Sequence, residues 1–330
     1  MSISQEIKYK AIELGFDLFG ITDASPIDNK QAEIFTEWLK SGFAGEMAYM
    51  HRNVRKRLNP AVLLENAQSV IVVGLNYTPS KHKTKPFESD APTGRIAEYA
   101  QYEDYHSFIK ERLYKLLDYI KSLDRADVKF KICVDSVPLA ERALALRAGL
   151  GFIGKNHMLI NPEFGCRIFL GEIITDLKLP PDVGAVREPP LPGGCAGCRK
   201  CLDACPTGAL RPDGQFDAGK CINYLTIEYK GHIPPELAGK IGDRLFGCEE
   251  CIDVCPYQQN APACGNKQFE FYPDSPGDSL RRARIDLQEI LRMDAESFRA
   301  KFSGSVIKRI GAEGLKRNAR ICLANITCRS

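Results

Sequence analysis

The sequence predicts an α/β protein built as a layered α/β domain, a cysteine-rich domain and a short C-terminal helical segment. Three observations carry this expectation. β-Branched runs alternate with amphipathic stretches as far as about residue 178, the order of a layered α/β domain. Five prolines crowd the stretch from Pro180 to Gly194, which reads as a linker. Eight of the thirteen cysteines then fall between Cys195 and Cys255. The expected boundaries are 1–178, 179–265 and 266–330. At 330 residues the chain exceeds an average domain, so two or three units are in order.

Each element has its own signal. Ile3 to Leu14 is amphipathic and stopped by Gly15, hence a helix, and Phe16–Thr22 follows as a strand. A second helix covers Ala32–Lys40 and ends at Gly42. Ser69–Tyr77 (SVIVVGLNY) is a buried strand, and the polar, proline-bearing stretch from Pro79 to Gly94 is a surface loop. Helix Tyr105–Ser122, strand Val128–Val134 and helix Leu139–Ala148 come next, then strands Met158–Ile160 and Ile168–Thr175. Helical segments resume from about Arg284.

Composition narrows the class. The chain is 44% hydrophobic and 26% charged, as globular proteins are. Met1 to Phe16 has neither the apolar core of a signal peptide nor a twin-arginine pair, and no run approaches the roughly 18 apolar residues of a membrane span. A cytoplasmic, monomeric protein with no membrane partner is expected. From Arg281 to Ser330 there are 12 Lys and Arg against 5 Asp and Glu, a net of +7 in a chain of net +3. That asymmetry fits either a polyanion-binding face or a solvated helical surface.

The cysteines point to metal rather than disulfides, which belong to short secreted chains. Cys195-x2-Cys198-x2-Cys201-x3-Cys205-Pro206 is the ferredoxin run, whose fourth cysteine ligates the neighbouring cluster. Cys248-x2-Cys251-x3-Cys255-Pro256 repeats it without the first cysteine, and Cys221 can supply the missing thiolate. Two 4Fe-4S clusters follow, one on Cys195, Cys198, Cys201 and Cys255, the other on Cys205, Cys221, Cys248 and Cys251. Zinc is the competing reading of paired cysteines, but the repeated run with its terminal proline favours a two-cluster ferredoxin-like domain. Exchange of the fourth ligands would keep the clusters close enough for one-electron transfer. Cys133, Cys166, Cys264, Cys322 and Cys328 lack such spacing.

Such a module needs only about 60 residues, so the clusters are expected to feed chemistry in the first domain. Its most informative stretch is Val134–Asn156, VDSVPLAERALALRAGLGFIGKN. Asp135 sits where a strand gives way to a helix, a position for reactive groups in α/β proteins. The alternative is that Asp135 or Ser136 caps the helix and Glu141 forms a salt bridge. Gly149, Gly151 and Gly154 follow a helix rather than a strand, which does not fit a dinucleotide fingerprint.

This stretch, with FLGEI at Phe169–Ile173, CPTGAL after Cys201 and CINYLTIE at Cys221–Glu228, closely resembles the epoxyqueuosine reductases. The likeness runs from about Phe16 to Asn325. It implies a cobalamin-binding α/β domain and an oxidoreductase that reduces an epoxide on a modified tRNA wobble base, the last step of queuosine synthesis. It implies that Asp135 is the acid and that Arg57 contacts cobalamin. Asn156, Tyr224 and Thr226 would line the cofactor and tRNA cleft. An unidentified low-potential donor would supply electrons. No histidine sits in a DxHxxG lower-ligand motif. GSVIKRIG at Gly304–Gly311 and the stretch Leu315–Asn325 resemble the start of a helical-repeat domain that members of the family commonly continue, whereas this sequence stops at Ser330. Lys308, Arg309, Lys316, Arg317 and Arg320 are the expected tRNA-backbone contacts. A reductive dehalogenase-like enzyme and a substrate-free electron carrier are the competing functions.

Overall fold

The computed structural model describes residues 2–79, 91–123, 127–180, 194–266, 268–269 and 283–328. The expected linker 180–194 and the middle of the expected loop 79–94 lie almost wholly outside them.

Ser2 and Gln5 form a capping box that starts α1 (Ile3–Glu13), and Gly15, at φ +92°, ends the turn that follows. β1 (Leu18–Asp23) leads to α2 (Asn29–Lys40), whose cap is Asp28. Two five-residue helices then appear, α3 (Ala48–Arg52) and α4 (Val54–Leu58), too short to show a period in sequence. β2 (Ser69–Asn76) is buried at every position. β3 (Thr93–Ile96) closes what the sequence presents as loop, and α5 (Tyr105–Ser122) follows with Asp104 as its cap. β4 (Phe130–Cys133) is shorter than expected, and α6 (Glu141–Arg147) starts two residues late. β5 (Phe152–Ile153) and β6 (Leu159–Ile160) form a small hairpin ahead of β7 (Ile168–Thr175).

β1, β2, β7 and β4 make one four-stranded sheet in that order, with every neighbouring pair antiparallel. Side chains alternate across a strand, and β2 shows the result. Ile71, Val73 and Leu75 join Ile7, Ile109, Leu113 and Leu116 under α1 and α5, while Val70 and Val72 join Leu144, Ala145 and Ala148 under α6. Both faces are covered, which is why the run reads as continuous apolar sequence. At Gly20 a Cβ would stand 2.4 Å from the Ala148 carbonyl oxygen, so α6 can rest directly on β1.

The cysteine region contributes α7 (Lys200–Ala204), α8 (Ile222–Ile227), α9 (Pro235–Ile241), β8 (Arg244–Phe246), α10 (Glu250–Asp253) and α11 (Pro256–Gln259). β9 (Arg284–Asp286), α12 (Leu287–Arg292), α13 (Ala295–Phe302) and α14 (Ala312–Thr327) complete the fold. β3 sits between β8 and β9 in a three-stranded sheet. One core runs from Met47 and Ile96 through Leu225, Ile241 and Leu245 to Leu315 and Cys322. The segment set apart in sequence as a tail thus packs against β3, α8 and β8. No helix among the described residues is long and apolar enough to cross a membrane.

Candidate active site and iron–sulfur centre

The cysteines expected as ligands lie near one another in space. Cys251 has Cys221, Cys248, Cys205 and Cys201 as electrostatic neighbours, and Cys201 has Cys195 and Cys198. Tyr257 lies near both Cys195 and Cys255. Burial and then the neighbouring thiols push Cys251 well above its ordinary value, and burial pushes Cys248 up to about 12. Cys251 and Cys248 become thiolates when a cationic centre compensates them, and a bound cluster is such a centre. Lys155 braces the first loop. Its N–H points at Cys195 Sγ (3.4 Å) and its ammonium donates to the carbonyls of Ala196 (2.7 Å) and Cys198 (2.9 Å). Cys166, which the spacing leaves aside, is buried against Cys255.

Asp135 does not cap α6. The N-cap position belongs to Ala140, with no side-chain cap, and Asp135 instead sits in a turn just past β4 at φ +49°. Its N–H donates to Glu141 Oε1 (2.7 Å). Its carboxylate Oδ2 lies 3.2 Å from His106 Nε2 and 3.4 Å from Arg309 Nη1. The other nitrogen of His106 meets Asp104 Oδ1 at 2.8 Å, and Asp104 also takes Lys308 Nζ at 2.9 Å. Arg309 reaches on to Glu228 Oε1 at 2.9 Å. Acid and base thus alternate through six side chains drawn from four places in the chain.

This network sets the protonation states. Burial works against the His106 charge, but two carboxylates on its two nitrogens lift it to about 9, so the ring is an imidazolium at neutral pH. Burial tends to raise Asp135, and the His106 hydrogen bond and the His106 and Arg309 charges more than reverse it. Its carboxyl therefore lies below the ordinary range. The transferable proton sits on His106, one hydrogen bond away. Tyr105 stacks on His106 with centroids 4.1 Å apart and on Phe169 at 4.0 Å, which makes an aromatic wall beside the carboxylate.

The remaining residues named from resemblance fall in three settings. Arg57, on α4, sends Nη1 to Leu139 O (3.4 Å), while its Nε is buried without a hydrogen-bond partner. It shares the electrostatic neighbourhood of Glu141 and Asp135. Asn156 faces the cysteine loops, where Nδ2 points at Cys251 O (3.4 Å) and Cys166 Sγ (3.8 Å). Tyr224 accepts the Glu46 N–H at 2.8 Å, with its ring under Gly45. Thr226 is 0% exposed, with its side chain turned into the protein. Its hydroxyl bonds Ile222 O (2.7 Å) and accepts the Gly247 N–H (2.9 Å), fixing the turn before Cys248. Arg317, expected on phosphates, is likewise committed inside the protein: it donates to the carbonyls of Leu225, Tyr229 and Gly231 at 2.7–2.9 Å.

Sequence reasoning missed His106 as a site residue, because its partner Asp135 is 29 residues away, and passed over Glu172. A lone acid inside the apolar run IFLGEIIT was the available signal for Glu172.

Comparison with known proteins identifies the family. A family profile described as epoxyqueuosine reductase QueG, DUF1730, matches residues 57–136, and one for a 4Fe-4S double cluster binding domain matches residues 194–258. The epoxyqueuosine reductase of Leadbetterella byssophila is 40% identical over 96% of each chain. A crystal structure of an epoxyqueuosine reductase with an epoxyqueuosine-modified tRNA-Tyr stem loop is 34% identical, with a TM-score of 0.85 over 97% of this chain and 80% of that one. The Bacillus subtilis enzyme, described with its catalytic aspartate loop swung out of the active site, is 32% identical, with a TM-score of 0.84 over 97% and 81%. With a double-cluster domain joined to a matching first domain and likeness along nearly its whole length, this chain belongs to the epoxyqueuosine reductase family.

Proposed function

We propose that this protein reduces epoxyqueuosine in tRNA to queuosine, with Asp135 as the acid that protonates the departing oxygen. The reaction takes two electrons and two protons, converts the epoxide to an alkene and releases the oxygen as water. The observation that carries the reading is Asp135 itself. Its side chain is 41% exposed, stands beside the stacked Tyr105 and His106 rings and is hydrogen-bonded to a protonated histidine. An alkoxide leaves poorly, so an acid at this point lowers the barrier. Asp135 delivers the proton and His106 Nε2 resupplies it. Substrate covering the exposed face of Asp135 would raise its pKa toward the working range.

The reading includes cobalamin, with the clusters feeding it. Two buried polar atoms around Asp135 suit a ligand rimmed with carboxamides: among the described residues Arg57 Nε is a donor without a partner, and Asn223 Oδ1, beside Gly247 and Tyr99, is an acceptor without one. These two residues would hold the cofactor. Bound there, cobalamin supplies the low-potential two-electron chemistry that no side chain can. Asn156 and Tyr224 would support its rim from the cysteine side. A monomer in the cytoplasm, served by a low-potential electron donor, completes the proposal. The aspartate loop and tRNA complex reported for relatives support this reading over a dehalogenase or a simple carrier.

The test is Asp135→Asn. The variant should keep its clusters, its corrinoid and its melting temperature while turnover on epoxyqueuosine-containing tRNA falls by about 100-fold or more. Turnover near the wild-type rate would move the proton source elsewhere.

A further inference from the structure

Glu172 is the chemical anomaly of the main sheet. It stands in the middle of β7, opposite Val72 of β2 and Cys133 of β4, and is 0% exposed. Neither carboxyl oxygen meets an N–H or O–H donor among the described residues. The polar group within hydrogen-bonding reach is another acid, Glu141, in the first turn of α6. An isolated ionised carboxylate in such a place costs several kcal/mol. Two carboxylates in contact have no hydrogen to share, whereas one proton turns the contact into a strong hydrogen bond.

Glu141 is held differently. Its Oε1 accepts the Asp135 N–H at 2.7 Å, an interaction that favours its charged form. Asp135 itself occupies the left-handed region at φ +49°, where a residue with a side chain persists only when its surroundings hold it. The Glu141 contact closes the loop from β4 to α6 and supplies such a hold.

We propose that Glu172 and Glu141 form an acid–carboxylate pair with one shared proton, donated by Glu172, and that Glu141 is thereby a positioning residue for Asp135. Burial and the adjoining carboxylates favour a protonated pair: burial, then the Asp135 charge, lifts Glu141 to about 7, and burial, then Glu141, pushes Glu172 well above the ordinary carboxylate range. The proton belongs on Glu172, which has no other donor, while Glu141 has the Asp135 N–H. From the packed elements the pair faces Arg57 of α4, Tyr105 of α5, Cys133 of β4, Arg142 of α6 and Asp135.

The positioning role rests on Asp135 being the acid, and the shared proton does not, so two measurements separate them. Infrared spectra of the reconstituted holoenzyme at neutral pH, with and without carbon-13 glutamate, should show the carbonyl band of a buried protonated glutamic acid. Glu172→Gln should abolish that band. Its absence from wild type, or its survival in Glu172→Gln, overturns the shared proton. For positioning, Glu141→Ala should lower kcat about 100-fold with KM for the tRNA little changed, because a small misplacement of an acid costs that much. Glu141→Gln, whose amide oxygen still accepts the Asp135 N–H, should recover to within about fivefold of wild type. Gln as damaging as Ala, or Ala without effect, overturns the positioning role. A fully active Glu141→Ala beside an inactive Asp135→Asn defeats this inference alone, whereas an active Asp135→Asn defeats the acid assignment and the positioning role with it.

Discussion

The cysteine loops and the Asp135 cleft are assembled in opposite ways. All eight cluster thiols lie within the stretch Cys195–Cys255, and seven of them come from two short runs with fixed spacing on either side of small helical turns. The cleft draws Asp104 and His106 from the start of α5, Asp135 from the end of β4, Glu228 from the end of α8 and Arg309 from the turn before α14. A metal centre needs its ligands at close, repeatable separations, which local chain geometry can supply. An acid needs a charge environment, which only tertiary packing supplies. The two regions therefore fail in different ways when a residue is changed.

The strongest expected contrast is at Cys221, the one ligand outside the runs. Cys221→Ala should lower iron from about eight to about four atoms per chain and reduce turnover to background, while much of the other cluster's signal remains. Iron content and electron paramagnetic resonance of anaerobically purified protein check this. Eight irons retained in the variant would remove Cys221 from the ligand set.

In the cleft the expected effect is graded and depends on pH. His106 has a folded pKa of about 9, above the ordinary histidine value. Its contribution to stability is therefore complete below about pH 6.5 and is lost as pH rises through about 9. Wild type should lose about 1–2 kcal/mol of unfolding free energy across that window, and His106→Gln should lose that slope. Denaturant titrations at four pH values would show it. A slope equal in both proteins would mean that the Asp104–His106–Asp135 contacts do not persist in solution.

The smallest effect is expected on α14. Arg317 is bonded inward, which leaves Lys316 and Arg320 as the phosphate contacts that remain from the sequence reading on this helix. Changing both to Ala should flatten the log–log salt dependence of tRNA binding by about two, and similarly for every cognate tRNA. An unaltered salt slope would make this face an ordinary solvated surface.

Sequence carried the fold's first layer well, since SVIVVGLNY and IFLGEIIT are apolar on both faces and mark β2 and β7 directly. It did not carry α3, α4 or the β5–β6 hairpin, each too short for a period to register. Asp135 was legible as a strand-end acid, but the charge environment that lowers its pKa was not, and the alternative reading of it as a helix cap does not hold. The cap fails because α6 begins six residues later, and the pKa falls because Arg309, 174 residues away, and His106 face the carboxylate. Thr226 and Arg317 were assigned outward roles because their neighbours in sequence looked functional. Packing turned both inward, where unsatisfied backbone groups on Gly247 and at the end of α8 needed partners.

The core beneath the cysteine loops is closed last in the order of synthesis. Cys221 and Cys248 pack against a core whose members include Leu315, Ala319 and Cys322 of α14. A ribosome therefore delivers every cluster thiol some sixty residues before the helix that seals the layer under them. Until α14 emerges, α8 and β8 keep an uncovered apolar face, so cluster loading on the nascent chain takes place on an unfinished support. A chain stalled or cut between residues 260 and 310 would present all its ligands and still lack the floor that holds them in register, a state open to aggregation and to cluster loss.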